Sequence, residues 1–479
     1  MMGLALLIAS LVGCNAPEVK RDLEIARFQQ QLKTRAQNAK IDPAKSLTMD
    51  QCVDLAIANS LDLSVRKLAL KIQDDNVRMA FSGALPQGNA TYTNTTRSNA
   101  NLQRQGGGAP VEVSDRHQQN LAVNASIPIL DYGLTYYSWK NAKDQRTQQR
   151  LLLTKSIQDL RRDVRVAYAL QGGAVRQAKL AQVAYDASLQ VLRVAKSLEQ
   201  AKLQVEADTA LVQSAVAQAG LALSQSQQQV QQTHLTLSQL MSLSPGVEYS
   251  INTELPNLPE PPLPPQVATF EDQALSARPE LAVQDLEQHI SANSVRSAAT
   301  EFFPKVDGIG SYNWGSNSAA VNQSFFLGGI SVSQSLLDGG ATIWRYKAAK
   351  KNVDVQKEQS LLISLGVLYD VQFRALLVHN AFDTASAAAQ VESARRSGLQ
   401  RVISLYKEGL EDESGAATAL ANLTIQATTL DQAQTAYQVA WYQLEAAALP
   451  TTLPTAIAAT QPSTRPTSTL DSLNGYMNP

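Results

Sequence analysis

The side chains of this 479-residue chain that could carry chemistry are few and mostly of one kind. Carboxylates gather at two places, Glu206 with Asp208, and Glu408 with Glu411, Asp412 and Glu413. Grouped acids attract cations; acids ahead of a helix only complement its dipole, for about 0.3–1 kcal/mol each. The residue types leave both readings open. The four histidines, His117, His234, His289 and His379, are scattered without metal-ligand spacing, and no zinc or EF-hand pattern occurs. No P-loop and no Gly-x-Ser-x-Gly is present, and the Ser-x-x-Lys at Ser64 to Lys67 lacks its companion motifs. The expectation is therefore no enzyme, no cofactor and no metal. With 41 basic against 42 acidic residues the chain offers no polycation to nucleic acid.

The acids lie at the ends of long helices, and each long helix is launched by the same device. An alternating strand runs into an Asp-x-Gly turn, twice. In Phe326 to Gly340, Ile330, Val332 and Leu336 share one face while Ser331, Ser333 and Ser335 share the other; Asp338, Gly339 and Gly340 make the turn. In Asn120 to Gly133, Leu121, Val123, Ala125, Ile127 and Ile129 alternate with Ala122, Asn124, Ser126 and Pro128, ahead of Asp131, Tyr132 and Gly133. Two other features recur at a common offset of 218 residues: Asn59 to Leu63 with Ala277 to Leu281, and Ala84 to Gln87 with Phe302 to Lys305. The Asp turns are 207 residues apart, and the 11-residue difference coincides with Gln105 to Pro110, read as a flexible loop tip.

Each repeat thus reads helix, strand, loop, strand, long helix, second helix. Thr48 with Gln51 forms a capping box opening a helix expected to run to about Gly83. Thr269 with Asp272 is its weaker counterpart, with a helix to about Glu301. Asn89 to Thr96 and Val306 to Trp314 are the remaining strands, Tyr312 and Trp314 being either a girdle at a lipid interface or a core pair. No proline interrupts Trp139 to Lys202 or Thr342 to Glu408, which at 1.5 Å per residue predicts helices about 100 Å long. Gly172 and Gly173 suggest a bend in the first. Return helices are expected over Asp208–Leu243 and Ala416–Leu449, with Gln225, Gln227, Gln228, Gln229, Gln231 and Gln232 on a solvated face, outside or toward a lumen. Leu255 to Pro265 is a stiff linker needing no role beyond spacing, and the Thr/Pro/Ser-rich chain from Pro450 reads as disordered.

Four strands of about ten residues can cross a bilayer when tilted but cannot close a barrel. Their edges must be met by other copies, and alternation alone admits two, three or four of them. Cys52 reads as a buried helical thiol. Beyond residue 14 no uninterrupted stretch of 18 apolar residues occurs, so strands are the expected membrane elements.

These repeats resemble the half-repeat of the TolC family of outer-membrane efflux channels. The likeness rests on Leu47 to Gln51 with Ala56 to Asn59, on the Leu-Pro before the first strand, on Ser333 to Gly340, and on Tyr406 to Leu410. It implies a mainly α fold with membrane β: a long coiled-coil-like α-helical tunnel and a transmembrane β-barrel completed by oligomerisation, as a homotrimer with four strands per protomer. It also implies a periplasmic adaptor (membrane fusion) protein and an inner-membrane pump as partners. The acids Glu206, Asp208, Glu411, Asp412 and Glu413 then fall at a periplasmic tip that serves as gate or adaptor contact; Gly415 stands where the second repeat would carry the family's Asp.

Met2 to Gly13 is an apolar run ending in Leu11-Val12-Gly13-Cys14, similar to a bacterial lipobox, with Cys14 as the lipidated residue and Asn15 compatible with outer-membrane sorting. No Lys or Arg precedes the run, and an ordinary buried helix is the other reading. The chain accordingly divides into a lipoprotein signal peptide (1–13), a tether (14–45) with a short helix near Glu24 to Phe28, a first repeat (46–254), a Pro-rich linker (255–266), a second repeat (267–449) and a disordered tail (450–479). The expected function is the passive outer-membrane channel of a tripartite efflux or type I secretion system, embedded in outer-membrane lipid. The alternative is a periplasmic coiled-coil scaffold without channel activity.

Overall fold

The computed structural model describes residues 21–38, 45–99, 101–103, 107, 111–201, 206–335, 337–411 and 413–448. Cys14 and its leader, Leu336, Asp412 and the tail beyond 448 lie outside them. The helices are α1 (Arg21–Asn38), α2 (Met49–Asn59), α3 (Leu61–Ser82), α4 (Leu134–Gln200), α5 (Glu206–Leu240), α6 (Pro264–Ala277), α7 (Pro279–Thr300), α8 (Ala341–Lys407) and α9 (Glu413–Ala448). The strands are β1 (Ser46–Leu47), β2 (Gln87–Thr96), β3 (Asn101–Gln103), β4 (Val111–Ser114), β5 (His117–Leu130), β6 (Ser250–Ile251), β7 (Lys305–Gly315) and β8 (Ser324–Ser333). Two compact units result, each drawing on both repeats: residues 64–156 with 275–368, and residues up to 63 with 157–274 and those from 369 onward.

The first of these units holds a four-stranded sheet of order β2-β5-β7-β8, antiparallel throughout. The surplus of the first repeat is more than a loop tip: β3 and β4 pair there as a short antiparallel hairpin. Beyond β4, Asp115 accepts hydrogen bonds from the Ser318 N–H and hydroxyl, and Asn317 Nδ2 donates to the Val113 carbonyl at 3.1 Å. This clasp joins the hairpin loops of the two repeats.

The other unit is helical. Its core around β1 and β6 gathers Cys52, Val53, Ala56, Val164, Leu237 and Met241. Burial pushes the Cys52 thiol up to about 12, which leaves it protonated and inert. The Tyr168 hydroxyl lies 3.0 Å from the carbonyl oxygens of both Leu47 and Asn252, tying β1 and β6 to α4. A second cluster, Leu180, Ala187, Leu399, Leu420, Leu423 and Ala427, joins α4, α8 and α9.

Both long helices have 67 residues, and the return helices begin and end within a few residues of expectation. Four local expectations need correction. The capping box at Thr48 is present, with Gln51 N–H to Thr48 Oγ1 at 3.3 Å and Thr48 N–H to Gln51 Oε1 at 3.0 Å. Its helix, however, stops at Asn59, and Ser60 starts a new one by accepting the Leu63 N–H at 3.2 Å. In the second repeat the helix begins at Pro264, capped by Gln266 Oε1 on the Leu263 N–H at 2.9 Å, while Thr269 only back-bonds within it. That helix breaks at Arg278, whose extended backbone (φ −70, ψ 127) is what a following proline imposes.

The third correction is the Gly172-Gly173 pair, which does not break α4. A Cβ on Gly173 would lie 2.6 Å from Thr435 Oγ1. The glycine is there to let α9 approach. One turn on, Arg176 forms a buried ion pair with Asp431, and Arg176 Nη1 donates to the Thr253 carbonyl at 2.8 Å. Burial, the strongest influence, pushes the Asp431 carboxyl above its ordinary value against the pull of Arg176 and Gln177.

The fourth is the linker. Its proline carbonyls are acceptors: His379 Nε2 meets Pro262 O at 3.0 Å, which requires the Nε2–H tautomer, and the Tyr437 hydroxyl donates to the Pro259 carbonyl. The segment is bound to α8 at Pro262 and to α9 at Pro259, beyond mere spacing.

Helix α8 is also the one described helix long and apolar enough to cross a membrane by length and composition. Its most apolar stretch, Leu361 to Val378, is interrupted by Asp370 and Arg374, which pair at 2.8 Å.

The Gly173 contact yields a test. Gly173→Ala should gain up to about 1 kcal/mol of helix propensity but lose about 1–3 kcal/mol to overpacking. The net effect should be a lower thermal midpoint of the helical circular-dichroism signal. Gly172→Ala, whose new methyl would meet only Arg176 Nη1, at 3.3 Å, should lower it less. A Thr435→Ala change should relieve the Gly173→Ala defect.

Candidate functional site

The two strand-to-helix turns are built alike, atom for atom. Asp131 Oδ1 accepts the Gly133 N–H at 2.9 Å and Oδ2 accepts the Thr135 N–H at 2.9 Å. Asp338 Oδ1 accepts the Gly340 N–H at 2.9 Å and Oδ2 the Thr342 N–H at 2.8 Å, with the Thr342 hydroxyl adding a bond of 2.6 Å. Each carboxylate closes an Asx turn and caps the long helix that follows. The chain passes through the left-handed region at Tyr132 (φ 52) and Gly133 (φ 92), and at Gly339 (φ 62) and Gly340 (φ 82). Partial burial raises the Asp131 carboxyl, but the bonds from Thr135 and Gly133 outweigh it and hold it below its ordinary value. The Thr342 hydroxyl and N–H, with the Gly340 N–H and the Arg345 charge, hold the solvent-exposed Asp338 carboxyl low as well.

Between these turns and the loops the register sorts the sheet into two faces. Leu121, Val123, Ala125 and Ile127 stand opposite Trp314, Tyr312, Gly310 and Gly308, which in turn face Ser324, Phe326, Gly328 and Ile330. That face is apolar, and Tyr312 meets Phe326 on it at 4.9 Å between ring centroids. Phe326 is 85 % and Ile330 68 % exposed. The other face carries Asn89, Thr91 and Thr93 of β2, Asn120, Asn124 and Ser126 of β5, and Ser311 and Asn313 of β7. Ile309, Leu327 and Phe325 are its exceptions. Strands β2 and β8 are outermost, and each has one edge without a partner strand among the described residues.

Of the acidic positions, residues 206, 208, 411 and 413 fall where the long helices give way to the return helices. Helix α8 closes with Gly409 at φ 74 and a Leu410 N–H to Leu405 O bond of 2.9 Å, which satisfies carbonyls the helix end would leave open. Glu206 and Asp208 fall in the first turn of α5, and Glu413 is the first residue of α9. Glu411 is exposed, and its carboxylate lies over Gly415, in the space a Cβ there would take. Gly415 thus leaves room for Glu411 beside the first turn of α9, where a carboxylate complements the helix dipole. Among the described residues no group of His, Cys, Asp and Glu could hold a metal ion.

The turn geometry makes stability pH-dependent with a definite sign. A carboxylate whose folded pKa is depressed stabilises the fold above the ordinary Asp range, and that contribution is lost as pH falls through the folded value. The thermal midpoint should therefore drop on acidification below about pH 4. Asp131→Ala should cost about 0.5–2 kcal/mol at neutral pH, and Asp338→Ala should act in the same direction. The Asn variants should keep most of the cap while flattening the acid limb of a midpoint-against-pH plot.

Residues 271–448 match the family model of the outer membrane efflux protein. None of the curated proteins matches the sequence. Among solved structures, the Campylobacter jejuni CmeC outer membrane channel superposes with a TM-score of 0.72 at 14% identity, covering 84% of this chain and 85% of that one. The Vibrio cholerae outer membrane protein VceC gives 0.68 at 14% identity, covering 84% and 95%. The open-state Neisseria gonorrhoeae MtrE outer membrane channel gives 0.66 at 16% identity, covering 85% and 89%. Over residues 271–448 the chain is similar to the outer membrane efflux protein family, and as a whole it has the fold of the outer-membrane efflux channels.

Proposed function

We propose that this protein is the outer-membrane channel of a tripartite efflux or type I secretion system, a homotrimer conducting solutes passively from periplasm to exterior. The observation that carries the reading is the four-stranded sheet with one apolar face, one polar face and two open edges. An open edge in hydrocarbon leaves N–H and C=O groups unsatisfied at several kcal/mol each, so the sheet enters a bilayer only when other copies close it. Three copies bring twelve strands, with the apolar faces outward and the Asn, Ser and Thr faces around a wet lumen. Exposed apolar side chains on α8, Leu361, Leu362 and Leu365 in the strand-bearing unit and Tyr369, Phe373 and Leu376 in the helical one, are further surface for a neighbouring copy to cover.

In this reading the strands cross the outer membrane and the helical unit lies in the periplasm. A periplasmic adaptor and an inner-membrane pump supply recognition and energy. Cys14, after Leu11-Val12-Gly13, is the proposed lipid anchor. Glu206, Asp208, Glu411, Asp412 and Glu413 are assigned to a tip that constricts the pore or meets the adaptor, with Glu411 also serving as a helix cap.

Reconstituted into planar bilayers, the full chain should conduct, and chemical crosslinking should stop at the trimer. A water-soluble monomer without conductance is the outcome expected of a periplasmic scaffold and would overturn the channel. Replacing Glu411, Asp412 and Glu413 by Gln, Asn and Gln should lower cation selectivity, read as a shifted reversal potential across a salt gradient. If the acids face outward instead, the same variant should weaken adaptor pull-down. No change in either measurement removes the tip assignment.

A further inference from the structure

One edge of the sheet carries a belt of rings and cations that conduction does not explain. Leu130 stands opposite Val306 and Ser333 opposite Lys305, so the Asp131 turn, the start of β7 and the end of β8 share this edge. Around it Tyr132 stacks on Phe303 at 4.8 Å, Phe302 meets Tyr346 edge-on at 6.0 Å, and Phe81 meets Trp139 at 6.4 Å. Trp344 remains 65% and Tyr136 53% exposed. Ammonium groups lie on these rings: Lys143 Nζ is 4.4 Å from the Trp139 centroid, Lys347 Nζ 4.6 Å from that of Trp344, and Lys350 Nζ 5.2 Å from that of Tyr346.

After each turn the first helical residues carry charge of one sign. Between Asp131 and Asp144, and between Asp338 and Asp354, the sequence contains no acid, only Lys140, Lys143, Arg345, Lys347, Lys350 and Lys351. Among the described residues, Arg345 alone of these pairs with a carboxylate, Glu301 at 3.0 Å. On a surface facing only water such lysines would gain from interspersed acids; here each ammonium group lies on a ring by one side and keeps N–H donors on the other for an anion. The opposite edge, where Asp115 is clasped by Ser318, has no ring–cation pair among the described residues. The two ends of the sheet are therefore chemically different.

We propose that this belt seats the phosphate groups of anionic phospholipids in the leaflet facing the periplasm, the rings lying at headgroup depth and Lys143, Lys347 and Lys350 contacting the phosphate oxygens. The proposal rests on the channel reading for the leaflet it names. Rings at the membrane–water boundary with basic side chains beside anionic headgroups are a complementary pair on general grounds.

The test uses the full chain, in a Trp314→Phe background, reconstituted into phosphatidylcholine vesicles with increasing phosphatidylglycerol, one lipid or the other bearing brominated acyl chains. Trp139 and Trp344 report the lipid beside the belt by quenching, above the constant background of the buried Trp441. Brominated phosphatidylglycerol should quench at lower mole fraction than brominated phosphatidylcholine. Lys143→Gln, Lys347→Gln and Lys350→Gln together should abolish that preference while conductance persists, each cation being worth up to about fivefold. Arginine at the same three positions should retain it. Equal quenching by the two lipids in the unsubstituted belt, or a preference that survives the glutamines, overturns the proposal and leaves the channel standing. Absence of quenching by either lipid, together with absence of conductance, overturns both.

Discussion

An antiparallel sheet whose two outer strands each keep one edge unpaired among the described residues is an unfinished object, and most of this chain is arranged around that fact. Backbone groups on the free edges of β2 and β8 need partners, and in hydrocarbon water cannot supply them. Each repeat contributes one hairpin, and the β5–β7 pairing joins the two hairpins into a single four-stranded piece. At one end of it Asn317 and Ser318 lock the loops; at the other, two Asp-x-Gly turns hand the chain to helices. A piece held at both ends keeps its register, so its apolar face stays apolar along every strand, and a slip of one residue would turn that face inside out.

The carboxylate turns matter because a strand and a helix make opposite demands on the backbone. A strand sends its N–H groups sideways to a neighbour, whereas the first turn of a helix leaves several pointing along the axis without partners. Asp131 and Asp338 each collect two of these, one from the glycine two residues on and one from the threonine four residues on. In the first repeat the change of direction is thereby completed inside five residues, whereas in the second β8 ends at Ser333 and α8 begins at Ala341. The same economy governs the helical unit, where Gly173 gives up its side chain so that Thr435 can come close and Arg176 can reach Asp431.

Much of this was legible in the sequence, and the misses have identifiable causes. Alternation, the Asp-x-Gly turns, the capping box and the uninterrupted helical pattern are local signals, and they located every strand of the large sheet and both long helices. The break at Arg278 was also local, since Pro279 disfavours a helical residue before it, but the surrounding amphipathic pattern was allowed to outweigh that rule. Ser60 ends one helix and caps the next, which its position before Leu61 and Asp62 could have suggested. The Gly172-Gly173 error is of another sort. A glycine pair signals a break only when nothing packs on it, and Thr435 is hundreds of residues away in sequence. The linker was likewise misjudged because proline was read as stiffness alone; its carbonyls still accept hydrogen bonds, and the donors, His379 and Tyr437, come from helices no spacing rule connects to it.

A difference between the two Asp turns in backbone chemistry shows how the duplicated turn tolerates drift. Both copies need a left-handed residue directly after the Asp; the second supplies Gly339, at no steric penalty, and the first supplies Tyr132. A non-glycine residue in that region costs roughly 1–2 kcal/mol. Stacking between aromatic rings contributes about 0.5–1.5 kcal/mol beyond the area it buries, and Tyr132 stacks on Phe303 at 4.8 Å. The two magnitudes are comparable, so the strain of the first turn is largely offset by a contact with the second repeat. The offset is available only because Phe303 precedes β7, which pairs with β5 and ends at the same edge. A local backbone penalty in one half of the chain is thus compensated through the sheet that joins the halves, and the turn that lacks glycine depends on that pairing more than the turn that has it.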